Sequence, residues 1–405
     1  MDAFILLAGL LAYVVAGRLA MRGLTGRTRE LMLAVLNLMG CYYFLFFPAT
    51  EHPAMNFGAL LALVILFYLA IHFFAGKHGG WPWLAFFVPI AALVVIRYMP
   101  FAAYAAVARA FGKTWHHAPY IVGISYLAFR CSRLLLEIRN GSVKKPGFTE
   151  YLNFALFVPT MPVGPINTYA NFRRGFTERY EVPVGRASFR ILVGAVKYQF
   201  LGNLCNELTY QGYLLNGFPH AWCALPVAML FFYLYLYLNF SGFCDMAIGA
   251  AALIGIPVPE NFDNPFAARN VKDFWTRWHI TLSTWMRDIV FSPLSKFFVG
   301  KLGIKMADHA IALTIVIVFL LVGVWHGAGW NFVAYGAAHA LGVGTNHYYT
   351  IFLKRKLGRE KFKAYNENRW IRAVAVGLTF CYCGASLIFF ANTFPQIGEI
   401  FRALR

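Results

Sequence analysis

Polar positions are so sparse along this chain that its pattern is one of long apolar runs joined by short basic links. Apolar segments occupy about 3–21, 31–48, 57–75, 82–98 and 117–136, then 186–206, 222–256, 309–326, 328–352 and 371–392. Between Glu207 and Glu260 the only formal charge is Asp245, and from His309 to Leu353 there is none. A hydrocarbon core takes about 20 apolar residues per helical crossing, so each of these two stretches has room for two passes. The pattern predicts an all-α, polytopic membrane protein with ten or eleven transmembrane helices, residues 1–405 forming a single integral membrane domain. The first run follows Asp2 and precedes Arg18, Arg22, Arg27 and Arg29. That is the reverse of a signal peptide, so a retained helix with its N-terminus outside is expected.

One apolar stretch does not read as a helix. Residues 151–176 carry Pro159, Pro162, Gly164 and Pro165, and three prolines so close together break a spanning helix. Irregular backbone at membrane depth must be buried in protein or line a cavity. The segment is expected at an interface or as a re-entrant wall of a site, which makes Pro165 a candidate lining residue.

Composition narrows the class. Only 13% of residues are charged while 60% are hydrophobic. The net charge of +19 sits in short inter-helix links such as Arg18–Arg29 and Lys354–Arg372, the distribution of cytoplasmic loops facing anionic lipid. It does not cluster as a nucleic-acid groove does, so membrane lipids are the expected partner and nucleic acid is not. The seven cysteines lie mostly inside apolar runs, without paired histidines, so neither a metal site nor a disulfide framework is expected.

Two segments carry candidate chemistry. A helix predicted from about Val271 places Trp278, Leu282 and Trp285 on one face. It spaces Asp273 and Arg277 for an i,i+4 pair, with Asp288 on roughly the same side. Tryptophans beside charges suit a headgroup-level helix, or one edging a polar cavity. For His279, beside this stripe, the simpler reading on the helix alone is an interfacial histidine bonded to a carbonyl. The second segment, Val-Trp-His-Gly-Ala-Gly-Trp-Asn-Phe (324–332), breaks the uncharged stretch near its middle. Its outer flanks are basic (Lys296, Lys301 and Lys305; Lys354, Arg355 and Lys356). A hairpin with cytoplasmic ends follows, placing His326 deep in the bilayer or toward its outer side. An ionisable residue there is functional by default. The alternative is a neutral histidine hydrogen-bonded across helices, the better reading for His339 and His347. Asp245 is likewise intramembrane, and a partner such as Arg277 or Arg287 would make it structural. A neutral imidazole, with a reference pKa of about 6.5, suits a general base. No nucleophile elbow and no H-E-x-x-H spacing is present. Direct transfer of an acyl group from a thioester to a hydroxyl, without an acyl-enzyme, is therefore the simpler chemistry.

The segment Lys-Asp-Phe-Trp-Thr-Arg-Trp-His-Ile-Thr-Leu-Ser-Thr-Trp-Met-Arg-Asp (272–288) and the later Gly-Val-Trp-His-Gly-Ala-Gly-Trp-Asn-Phe (323–332) resemble the two signature blocks of the membrane-bound O-acyltransferase (MBOAT) family. Further likeness lies in Gly-Ile-Ser-Tyr-Leu-Ala-Phe-Arg (123–130), Glu-Ile-Arg-Asn-Gly (137–141), Pro-Thr-Met-Pro-Val-Gly-Pro-Ile (159–166), Pro-Glu-Asn-Phe-Asp-Asn-Pro-Phe (259–266) and Asn-Arg-Trp (368–370). Within the family these blocks are most similar to the DltB-like branch of D-alanyl transferases. The resemblance implies helices ringing a central funnel or tunnel, with re-entrant or interfacial helices. Residues 120–392 would form the core, 260–340 the catalytic region and 1–110 peripheral helices. It maps His326 onto the catalytic histidine and His279 onto its companion. Trp275, Trp278, Ser283, Trp285, Arg287, Asp288, Trp325, Trp330, Asn331, Asp245 and Pro165 become candidates for the substrate path.

The implied donor is the phosphopantetheine thioester of an acidic cytoplasmic acyl carrier protein, for which Lys296–Lys305 would be a dock. The implied acceptor is a hydroxyl of an envelope polymer or glycolipid outside the cell inner membrane. Two departures bear on the acyl group and acceptor: Ser-Thr-Trp-Met-Arg-Asp with Ser292-Pro293-Leu294 leans toward polysaccharide O-acetyltransferases of the alginate type, and Pro-Ile-Asn-Thr-Tyr has Asn167 where DltB-like chains carry Asp. A transporter built on broken helices is the non-enzymatic rival.

Overall fold

The computed structural model describes residues 3–47, 52–76, 81–99, 121–178 and 180–405. Residues 100–120, which include the start of the apolar run expected at 117–136, lie outside them. Among the described residues the chain is helical and has no strand, only an isolated bridge between Phe262 and Trp278. Among the described residues five helices are long and apolar enough to cross a membrane: Gly26–Phe46, Pro53–Phe74, Ala224–Ile254, Ile304–His326 and Arg369–Ala391. Pro82–Tyr98 is apolar but shorter, and other expected crossings are helices that carry polar residues. Uncharged 330–353, for instance, contains Asn331, His339, Asn346 and His347.

The chain folds as two compact units, Met1–Gly194 with Phe243–Pro259, and Ala195–Gly242 with Glu260–Arg405. In the first, α1 (Ala3–Gly23), α2 (Gly26–Gly40), α3 (Pro53–Phe74) and α4 (Trp81–Tyr98) precede α5 (Ile124–Arg139), α6 (Phe148–Ala155), α7 (Tyr169–Thr177) and α8 (Val184–Ala195). The proline segment between α6 and α7 is buried in protein except around Pro162 and Val163, as suits irregular backbone in a membrane protein. Arg130, itself buried, donates to the carbonyls of Phe154 and Thr160. The Val158 N–H donates to Asn37 Oδ1 (3.3 Å), and Asn167 Nδ2 donates to the Pro257 carbonyl (2.8 Å). The first three satisfy backbone groups that a continuous helix would have paired, and the last ties the segment to Pro257.

Two expectations are corrected here. The partner of Asp245 is Arg190, at 3.0 Å, and neither Arg277 nor Arg287. In the Glu207–Glu260 stretch, where two passes had room, the one long helix is α10 (Ala224–Ile254). At about 1.5 Å per residue its 31 residues outreach a hydrocarbon core of about 30 Å. Its sequence has no Gly or Pro between Pro226 and Gly242.

The second unit comprises α9 (Gly202–Glu207), α11 (Val271–Arg277), α12 (Ile280–Met286), α13 (Ser292–Leu302), α14 (Ala307–His326), α15 (Trp330–Glu367), α16 (Arg369–Ser386), α17 (Ile388–Ala391) and α18 (Phe394–Ala403), with part of α10. The expected hairpin is present as α14 and α15. They cross with Gly323 against Gly336, where an added Cβ at either would run into the carbonyl of Phe332 or Phe319. The helix predicted through Trp278 and Trp285 is instead broken in two. His279 takes φ 44°, ψ 52°, a left-handed conformation disfavoured for a residue with a Cβ.

Candidate active site

The break at His279 has a local cause. Asn261 lies beside it, 1% exposed, and its Oδ1 accepts from the Thr281 N–H (3.2 Å) and the Thr281 hydroxyl (2.9 Å). The Ile280 N–H donates to the Asn261 carbonyl (3.0 Å), and the Asp263 N–H to the Arg277 carbonyl (2.9 Å). The 259–265 segment thus supplies the backbone partners that an uninterrupted helix would have supplied. It offsets the cost of the left-handed residue, typically about 1–3 kcal/mol.

The same oxygen fixes the tautomer of His279. A backbone N–H and a hydroxyl already point at Oδ1, so His279 Nδ1, 3.1 Å away, must be the protonated nitrogen that donates to it. Nε2 then carries the lone pair. It is buried and has no hydrogen-bond partner among the described residues. Burial, reinforced by the nearby His326, pushes the His279 pKa down to about 3, so the ring is neutral at working pH. Phe240 meets it edge-on at 4.7 Å between centroids, with Trp325 on another side at 6.3 Å.

Trp325 also touches His326, at 4.5 Å, so one indole links the histidines of the two sequence blocks. His326 ends α14 and is only partly buried, packed by Tyr335 (5.7 Å) and Phe390 (4.9 Å). Gly327 is required immediately after it, because any Cβ there would enter the Phe332 ring. His339 is different. Trp275 Nε1 donates to its Nδ1 (3.1 Å), leaving Nε2–H to donate to Ser386 Oγ (3.1 Å), which itself donates to the Cys383 carbonyl (2.7 Å). Both nitrogens are satisfied, so the structural reading of His339 stands.

The remaining candidates separate clearly. Trp278 packs on Phe262 (5.0 Å) and Phe274 (5.4 Å), and Trp285 is buried. Ser283 donates to the Trp278 carbonyl (3.4 Å), and Asn331 Nδ2 to the Phe389 carbonyl (3.0 Å), so both are engaged with backbone. Asp273 and Arg277 form the expected pair (3.0 Å), whereas Asp288 pairs with the adjacent Arg287 (2.9 Å) and not with that group. Trp330 is 76% exposed at the start of α15. Asp245 and Pro165 belong to the first unit and the two histidines to the second. Sequence reasoning missed Asn261, Phe240 and Tyr335. Asn261 had a signal, a polar cluster between prolines at 259–265, while the two aromatic residues are indistinguishable from others on their helices.

The profile of the MBOAT, membrane-bound O-acyltransferase family, matches residues 61–366, reaching farther toward the N-terminus than the motifs, which begin near residue 120. The chain is 32% identical to a teichoic acid D-alanyltransferase of Streptococcus thermophilus, over 67% of this chain and 68% of that protein. It is 32% identical to a teichoic acid D-alanyltransferase of Bacillus subtilis over 69% and 72%. Likeness extends to a peptidoglycan O-acetyltransferase of Helicobacter pylori, 30% identical over 50% of this chain and 38% of that protein. A multi-pass helical chain carrying both histidine blocks, matched by the family profile over well more than half its length, belongs to the membrane-bound O-acyltransferase family and is an acyltransferase.

Proposed function

We propose that the chain transfers a D-alanyl group from the phosphopantetheine thioester of an acidic carrier protein to a hydroxyl of an envelope polymer across the cell inner membrane, its N-terminus outside. The observation that carries the mechanism is the pairing of two unlike imidazoles through Trp325. A group with a pKa of about 3 is a poor proton acceptor at neutral pH. His279 is therefore the positioning residue: its outward lone pair accepts an N–H of the donor. In that tautomer it has no proton with which to polarise the thioester carbonyl. His326, less buried, is the general base. It takes the acceptor hydroxyl's proton as the oxygen attacks the thioester carbon. The C–S bond breaks, and the imidazolium returns the proton to the leaving thiolate.

The carrier would dock at α13 and the turn after it. Phe297, Leu302 and Ile304 are exposed there among Lys296, Lys301 and Lys305, an apolar and basic surface matched to an acidic partner. The test is acyl transfer by purified protein supplied with the loaded carrier. His326→Ala is expected to lower kcat by about 10²–10⁴-fold, and wild-type transfer by both His326→Ala and His279→Ala would overturn the assignment. Likeness to O-acetyltransferases favours a second reading, acetyl transfer to a polysaccharide. Mass spectrometry of the envelope polymer with and without the protein distinguishes an added alanyl from an added acetyl group.

A further inference from the structure

Away from the histidines, a cleft of about 1040 Å³ opens between α15 and α16, and none of its lining residues belongs to the histidine cluster. It slightly exceeds the usual range for small-ligand pockets, about 300–1,000 Å³. Its lining is of two kinds. Leu341, Val374 and Leu378 are apolar and exposed, the last two on a helix long and apolar enough to cross a membrane. Arg269 and Arg372 line the cleft as well.

Part of the lining lies beyond a kink. Gly358, at φ 70°, ψ 177°, turns the end of α15 aside, a conformation strained for any residue with a Cβ. Beyond the kink Tyr365 lines the cleft, and its hydroxyl meets that of Tyr349, also a lining residue, at 3.0 Å. The segment Lys354–Arg372 around it carries eight basic residues and two acidic ones. Arg269 is tied to Asp273 at 3.5 Å, but Arg372 is exposed and makes no ion pair among the described residues.

We infer that this cleft binds one anionic phospholipid, its phosphate at Arg372 and Arg269 and its chains along Leu341, Val374 and Leu378. Charge argues for an anionic headgroup over a zwitterionic one, because the surplus of Lys and Arg at the mouth attracts net negative charge. The lateral apolar wall argues for a lipid over a soluble phosphate, since only an occupant with chains uses it.

The experiment is native mass spectrometry of the delipidated full-length protein in detergent, titrated with dioleoylphosphatidylglycerol, dioleoylphosphatidylcholine or glycerol phosphate. One phosphatidylglycerol should be retained at least about tenfold better than phosphatidylcholine, and glycerol phosphate should not displace it. Arg372→Ala should weaken retention about fivefold, the effect of removing one basic contact at a lipid surface. Leu378→Trp, which fills the wall and leaves the charges intact, should abolish it. Equal retention of the two lipids, displacement by glycerol phosphate, or undiminished retention in Leu378→Trp would each overturn the assignment. Retention is read independently of acyl transfer, so its failure leaves the proposed reaction standing.

Discussion

His279 Nδ1 donates to Asn261 Oδ1 at 3.1 Å, and the same oxygen accepts both the backbone and the hydroxyl protons of Thr281. One amide oxygen therefore does two things. It stabilises a left-handed residue in what would otherwise be a continuous helix, and it selects the tautomer that presents a lone pair at Nε2. The backbone break and the chemistry of the ring share a single cause.

Asn261→Ala removes the acceptor of three donors, leaving buried groups unsatisfied at about 1–3 kcal/mol each. Losing the ring's orientation is expected to lower kcat about tenfold to a hundredfold. Asn261→Asp keeps the acceptor but places a carboxylate against the imidazole. The charged form is then favoured, and the His279 pKa rises from about 3. An NMR titration of the His279 ring should show its transition moved to higher pH. An unmoved transition in Asn261→Asp would contradict the contact between this side chain and the imidazole.

The depressed pKa also sets how stability depends on pH. An unfolded histidine titrates at about 6.5, whereas folded His279, held neutral by burial, does so at about 3. As pH falls through 6.5 the unfolded chain takes a proton that the folded chain refuses. Stability is complete above about 6.5 and is lost progressively from there toward pH 3. At pH 5 the loss from this group is about 2 kcal/mol. His279→Gln does not titrate, so the difference in Tm between pH 7 and pH 5 in detergent should be smaller for it than for wild type. Parallel curves for the two proteins would remove His279 as the cause.

Much of the helical plan was legible because apolar run length is a one-dimensional property. The hairpin around His326 could be read from 45 uncharged residues and two glycines. The broken helix at His279 could not, because residues 272–288 are a good helical sequence and Asn261, the group that interrupts it, is 18 positions away. The partner of Asp245 could not be picked out for a similar reason. Its partner Arg190 is 55 positions off, and nothing in local spacing selects it over Arg277. Two-pass capacity between Glu207 and Glu260 misled as well, since length sets a maximum number of passes and not the number used.

The α14–α15 crossing depends on two missing side chains. Gly323 and Gly336 face each other so closely that a Cβ on either would meet a carbonyl of the opposing helix. Gly336→Leu is expected to destabilise the protein by about 1–3 kcal/mol or more through overpacking. Because His326 ends α14, the substitution should also lower acyl transfer per folded molecule. Gly344→Leu, on the same helix where an added Cβ meets open space, is the control and should leave both quantities near wild type.

His339 provides the counterpart to His326, since both lie on the uncharged hairpin and both touch Tyr335, at 4.6 and 5.7 Å. Their hydrogen bonding separates them. His339 bridges Trp275 of α11 and Ser386 of α16, with no nitrogen left for a substrate. His339→Leu orphans the Trp275 N–H, because Ser386 still has the Cys383 carbonyl as an acceptor. One unsatisfied buried donor costs about 1–3 kcal/mol, so Tm should fall clearly. Where the protein remains folded, KM and the kcat–pH profile should stay close to wild type. His326→Ala should behave in the opposite way, since its ring is only partly buried. Its Tm should change little while kcat collapses. If His339→Leu abolished transfer at unchanged Tm, the division of the hairpin into one structural and one chemical histidine would be wrong.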